Sequence, residues 1–186
     1  MGNELVDDPR VTAVGLFSEA YTGLSSKFTA QIAGHGLAMI EFEVLIRLAR
    51  SPERHLRMTD LSAQTSLTTS GVTRVIDRLE RDGLVCRTAC PSDRRSSYAV
   101  ITDAGKERLD AILPGHLALI EQWFTGLLSP KQLDATLLGL RKVRDAVRPG
   151  AVAGANATLP TQPVPPTVAV VDANTDADKA SVAPGN

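Results

Sequence analysis

The chain has 186 residues, 43% of them apolar and 22% charged, a mix that builds an ordinary globular core and excludes a collagen-like or wholly disordered polypeptide. Its 20 Lys/Arg against 21 Asp/Glu leave a net charge of −1, so any surface that attracts nucleic acid has to be local. Two cysteines, Cys86 and Cys90, are too few for a disulfide framework. Met1–Asp8 is acidic and lacks the apolar stretch of a secretory leader, and the longest uncharged run, 149–171, is broken by five prolines and does not read as a membrane span; a cytoplasmic protein is expected.

In chain order, Val14, Phe17, Tyr21, Leu24 and Phe28 follow 3,4,3,4 spacing, an a/d seam on a first helix. Leu37 to Leu48 reads as a second, mostly buried helix stopped by Ser51-Pro52. Thr59 is expected to cap a short helix over 60–65. Leu67-Thr68-Thr69-Ser70 makes a turn into a fourth helix reaching Asp82, with Gly83 as its C′ residue. The period then changes from 3.6 to 2. Residues 84–88 and 97–101 read as two strands joined by the charged tip Ala89 to Arg95. Thr102 caps a long helix from about Asp103, expected to bend near Pro114. Ser129-Pro130 opens a last helix with Leu133, Leu137, Leu140 and Val143 on one face. From Pro149 the composition changes: six of the eleven prolines and no aromatic residue fall within 149–186. Such a Pro/Ala-rich segment buries too little apolar surface to offset its ordering entropy, so a disordered tail is expected.

The informative stretch is 59–101. On the fourth helix Val72, Val75, Ile76 and Leu79 share one side, the core face. Opposite lie Ser70, Arg74, Asp77 and Arg81, flanked by Thr73 and Arg78. Small hydroxyls at a helix start allow close approach to base edges, and arginine pairs with guanine in two-point fashion, which suits a major-groove helix. Asp77 is discordant, and Arg74 and Arg81 are spaced to neutralise it. Arg94 and Arg95 at the hairpin tip have the reach for an adjacent minor groove, with Asp93 as a brace. Within residues 47–108 there are 12 Lys/Arg against 8 Asp/Glu, so the positive charge is concentrated there.

The segments Thr73–Val85, Pro91-Ser92-Asp93-Arg94-Arg95 and Ile101-Thr102-Asp103-Ala104-Gly105 occur in the order and spacing of a known family. Over residues 11–148 the chain resembles the multiple-antibiotic-resistance regulator (MarR) family of winged-helix transcription factors. The resemblance implies a mainly α fold with a β-hairpin, a winged helix-turn-helix of order α1-α2-α3-α4-wing-α5-α6. The domain would span 1–148. Dimerisation helices 10–33 and 103–148 would flank a DNA-binding lobe at about 54–101, followed by the tail 149–186. A homodimer would bind a pseudo-palindromic operator, commonly as a repressor released by a small aromatic or anionic effector. The DNA-binding residues would be Thr68, Thr69, Ser70, Thr73, Arg74, Arg78, Asp93, Arg94 and Arg95. Phe17, Tyr21, His35, Phe42 and Arg57, with Trp123, are candidates for the effector cleft. The apolar terminal helices also favour a dimer on their own, because such faces are rarely left in water.

No catalytic motif is present: Gly34-His35-Gly36 does not continue to a third glycine, and the three histidines lie apart. An enzyme is not expected. Cys86-x-x-x-Cys90 lacks two further ligands for zinc, so no metal or cofactor is expected either. Two rivals keep the same fold: a winged helix that serves protein interaction or dimerisation without DNA, and a thiol-based redox sensor acting through Cys86 and Cys90.

Overall fold

In the computed structural model, which describes residues 5–65, 67–90 and 93–151 and only the backbone of 90 and 93–96, the elements follow the expected order. They are α1 (Pro9–Gly34), α2 (Met39–Arg50), β1 (His55–Arg57), α3 (Met58–Thr65), α4 (Thr69–Arg81), β2 (Val85–Cys90), β3 (Asp93–Ile101), α5 (Asp103–Trp123) and α6 (Pro130–Val147). The described part of the chain is thus mainly helical with a β-hairpin.

Three differences from expectation have local causes. Residues 55–57 form a strand, so the hairpin is part of a three-stranded antiparallel sheet of order β1-β3-β2, with Leu56 opposite Ala99. A three-residue strand is too short to show an alternating pattern. Because that strand runs straight into α3 at Met58, Thr59 lies inside the helix and does not cap it. The chain also remains ordered past Val147. Pro149–Ala151 forms a 3₁₀ turn against α3, with Ala151 buried and Arg148 Nη2 donating to Gln64 O at 3.2 Å. The expected disordered tail otherwise lies outside the described residues, from 152 onward. α5 continues through Pro114 as one helix.

One core joins the lobe to the long helices: Ile32 of α1, Val44, Leu45 and Leu48 of α2, Leu61 of α3, Val72, Ile76 and Leu79 of α4, and Leu109 and Ile112 of α5 are all buried. Burying side chains of this size contributes roughly 1.5–3 kcal/mol each. The packing is close where α5 begins. A methyl group on Gly105 would stand 2.1 Å from Leu84 O, so the start of α5 lies directly on the turn that follows α4.

No residue of α6 is buried, and Leu138, Val143 and Val147 are exposed. On α1 the first half of the seam, Val14, Phe17 and Tyr21, is likewise exposed, Phe17 at 57%. Among the described residues no helix is long and apolar enough to cross a membrane.

Candidate nucleic-acid interface

The short helix α3 and the longer α4 are fixed by hydroxyl groups at their junction. Thr65 Oγ1 donates to Leu61 O (2.6 Å) and Ser62 Oγ to Leu67 O (2.8 Å), which closes the end of α3. Thr68, extended at φ −67° and ψ 159°, then accepts the Gly71 N–H on its Oγ1 at 3.1 Å, the ordinary N-cap bond. Gly71 packs closely there, since a Cβ would lie 3.3 Å from that same oxygen and 3.4 Å from Leu67 Cβ. At the other end Gly83, at φ +72°, donates to Glu80 O and Leu84 to Leu79 O. This is the paired C-terminal motif that glycine's left-handed freedom permits.

The helix so defined has the two expected faces. Val72, Val75, Ile76 and Leu79 are buried, while Thr69, Ser70, Thr73, Arg74, Asp77 and Arg81 are exposed. The Thr73 hydroxyl proton is used on Thr69 O (3.0 Å), so its oxygen is left as an acceptor. Arg74 and Arg81 have no ion pair among the described residues. Arg78 does: its Nε donates to Glu41 Oε1 at 2.6 Å, and the Glu41 side chain is only 11% exposed. The second oxygen of Glu41 accepts the Ala38 N–H (2.8 Å) at the start of α2. Arg78 therefore ties α4 to α2, a different use from the DNA contact expected of it.

Asp77 is neutralised by neither Arg74 nor Arg81. Its partner is Arg87 on β2, whose Nη2 lies 2.6 Å from Asp77 Oδ1. Arg87 also pairs with Glu80 through Nη1. Burial opposes its charge, but the two carboxylates outweigh that and hold the guanidinium pKa above its usual value. One cue in the sequence pointed here: Arg87 shares a strand face with the core residue Val85, the side turned toward α4. The side chains of Asp93, Arg94 and Arg95, and all of Pro91 and Ser92, lie outside the described residues. Cys86 is a free, exposed thiol, and the Cys90 side chain lies outside the described residues.

The five candidate effector residues are not brought together. Phe17 and Tyr21 are exposed on α1, and the His35 carbonyl accepts from Arg108 Nη1 (2.9 Å). Arg57 stands by Tyr98, its Nε 3.5 Å from the phenol oxygen. Trp123 carries Lys27 Nζ over its ring at 3.9 Å. Tyr21 lines a separate open groove along α1 with Ser25 and Thr29, and Phe42 lines a cleft of about 470 Å³ between α2 and α5. The floor of this cleft includes Ile46, Leu109 and Leu113, and Arg50, Arg54, Lys106 and Asp110 stand at its edge, the last two paired at 2.6 Å. Arg54 is presented by two successive left-handed residues, Glu53 (φ 52°) and Arg54 itself (φ 57°), each costing roughly 1–2 kcal/mol outside glycine. His116 also lines the cleft, with its ring 4.9 Å from both Phe28 and Phe42 and its Nδ1 3.2 Å from Gln31 Oε1. Burial holds its pKa below the usual 6.5. Helical spacing marks Phe42, Ile46 and Ala49 as one face of α2, but that α5 leaves a gap opposite them depends on packing alone.

Comparison with known proteins gives the same picture. The profile of the MarR family matches residues 35–96. The helix-turn-helix transcriptional regulator YkoM of Bacillus subtilis is 37% identical over 128 residues, covering 68% of this chain and 80% of YkoM. The chain belongs to the MarR family. Among solved structures, the MarR family regulator Sco3205 of Streptomyces coelicolor, crystallised with DNA, superposes with a TM-score of 0.70 at 33% identity, over 74% of this chain and 87% of that one. BpsR of Bordetella bronchiseptica, whose DNA binding is regulated by 6-hydroxynicotinic acid, superposes at 0.62 and 26% identity, over 70% and 91%. As a MarR-family protein the chain is a DNA-binding transcriptional regulator.

Proposed function

We propose that this MarR-family regulator binds a pseudo-palindromic operator as a homodimer, with α4 in the major groove and the hairpin β2–β3 over the neighbouring minor groove. The observation that carries the reading is the outer side of α4, where hydroxyls and the arginines Arg74 and Arg81 face outward while the opposite side is buried. Thr68, Thr69, Ser70, Thr73 and Arg74 are the base- and phosphate-facing set, and Arg94 and Arg95 serve the minor groove. Arg78 contributes through its hold on Glu41. Two copies would place their α4 helices one duplex turn apart, about 34–36 Å. The exposed apolar residues of α1 and α6 supply the surface on which such copies meet, and the likeness to a regulator crystallised with DNA supports the same arrangement.

The cleft between α2 and α5 is the proposed effector site: an apolar floor with Phe42 and His116, edged by Arg50 and Arg54 and by the Lys106–Asp110 ion pair, suits a flat aromatic acid whose carboxylate meets the two arginines. That set replaces Phe17, Tyr21, His35 and Arg57 as the candidate contacts. Repression released by such a ligand follows if the bound state holds α2 and α5 at a spacing that disfavours the operator.

The experiment is a fluorescence-anisotropy titration of a duplex that the wild-type protein enriches from a random pool. Arg74→Ala should weaken binding by about 10-fold or more while the dimer persists, in keeping with the worth of a two-point base contact. Wild-type affinity should fall about 10³-fold between 50 and 200 mM salt if roughly six phosphates are contacted. Unchanged binding by Arg74→Ala, with a flat salt response, would instead favour a winged helix used for protein contacts. A peroxide-induced loss of affinity reversed by dithiothreitol would favour the thiol sensor.

A further inference from the structure

A recognition helix that carries two carboxylates on its exposed side has an electrostatic problem. Asp77 and Glu80 lie among Arg74, Arg78 and Arg81 on α4, and a bare carboxylate near a phosphate sets like charges against each other. The fold meets both from one residue. Arg87 Nη2 lies 2.6 Å from Asp77 Oδ1 and its Nη1 pairs with Glu80 Oε2. The Arg87 backbone N–H donates to the other Glu80 oxygen at 3.1 Å, and Nη2 also reaches Thr73 O at 3.4 Å. A single planar guanidinium thus spans one turn of α4, the fork geometry that arginine has and lysine lacks. The Arg87 side chain is only about a quarter exposed and it sits on β2, behind the outward surface of the helix.

We propose that Arg87 is a positioning residue for DNA binding, one that reads no base and instead masks Asp77 and Glu80, so that Arg74 and Arg81 are the charges α4 shows to the phosphates. The proposal rests on the operator-binding reading above. It places the wing strand in the affinity of the recognition helix independently of the hairpin tip. It also accounts for acidic residues in a helix that approaches a polyanion.

The test is a set of variants on the same enriched duplex, with thermal unfolding followed in parallel. Arg87→Ala should weaken binding by about 10-fold or more, because two carboxylates become unmasked against phosphates. Asp77→Asn with Glu80→Gln in otherwise wild-type protein should stay within about 3-fold, since those charges are already masked, and the triple variant should return to that level. Arg87→Lys, which keeps a cation but cannot span both carboxylates, should fall between. The deficit of Arg87→Ala should shrink as salt is raised, because the repulsion is screened. Wild-type affinity in Arg87→Ala would overturn the proposal. So would a deficit that neutralising the two carboxylates does not repair, since Arg87 would then touch DNA itself or support the fold. If Arg74→Ala binds normally while Arg87→Ala does not, α4 is not the reader and the operator assignment falls first.

Discussion

Gly105→Ala gives the sharpest test of how the wing, α4 and α5 are held together. Gly105 is in the first turn of α5, where its N–H donates to Thr102 Oγ1 at 3.0 Å. An added Cβ would stand 2.1 Å from Leu84 O and 2.8 Å from Ile101 Cγ1, whereas real Cβ atoms essentially never approach within 3.0 Å. The obstacle is a backbone carbonyl and cannot rotate away. Leu84 is buried and its N–H bonds Leu79 O at 2.8 Å, and its carbonyl accepts the Thr102 N–H at 3.1 Å. Making room means parting α5 from the turn after α4 by about 0.9 Å, which stretches that last bond. Overpacking of this kind costs about 1–3 kcal/mol and a lost hydrogen bond about 1 kcal/mol. Alanine's better helix propensity returns up to about 1 kcal/mol, so the net loss is about 1–3 kcal/mol. For a domain of this size that lowers Tm by about 3–10 °C, read by circular dichroism at matched protomer concentration because dimerisation contributes to Tm. Gly34→Ala is the control: nothing lies within 4 Å of its added Cβ, and its Tm should hold or rise slightly. A Gly105→Ala loss below about 2 °C would refute the close seating of α5 on the α4–wing turn.

Other outcomes follow from the same geometry. Thr68→Ala removes the acceptor of the Gly71 N–H and should cost about 1 kcal/mol of stability in denaturant titration; no change would mean that water caps the helix equally well. Arg78→Ala should lower Tm more than Arg74→Ala does, because it strands the nearly buried Glu41. The loss is about 1 kcal/mol, as the arginine end is itself half in water, and equal effects would deny the α2–α4 tie. His116 titrates below 6.5 in the folded protein because burial disfavours its charge. The unfolded chain therefore takes up a proton first as pH falls. The stability His116 contributes is complete above pH 6.5 and is lost as pH drops through the lowered folded value. His116→Phe should flatten that acid-side slope in urea titrations at pH 7.5 and 5.5, and an unaltered slope would exclude His116 as its source. Val143→Asp together with Phe17→Asp should turn a dimer into monomer by light scattering, whereas a dimer that persists would move the interface away from α1 and α6.

Local signals and packed ones separate cleanly in this protein. α4 was legible because all its determinants are within its own residues or next to them: the hydroxyl cap at Thr68, a 3.6-residue apolar period, and Gly83 at the position that requires positive φ. The hairpin was legible for the same reason, although its strands run on to Cys90 and from Asp93, through most of the stretch expected to be its tip. What the sequence did not disclose are partners chosen across the fold. Spacing along one helix paired Asp77 with Arg74 and Arg81, yet the carboxylate takes Arg87, ten residues on and in another element. An exposed helical pair is worth only a few tenths of a kcal/mol, so a half-buried cation that serves two acids at once wins easily. The helical wheel puts Arg78 on the flank and Arg74 opposite the core, but that Arg78 meets a partner depends on the approach of α2, which places Glu41 within its reach. The same holds for the cleft, because residue type alone does not say that Phe17 and Tyr21 face away from it. Phe42 lines it through its place on the inner face of α2, and His116 joins it from 74 residues downstream because α5 returns alongside.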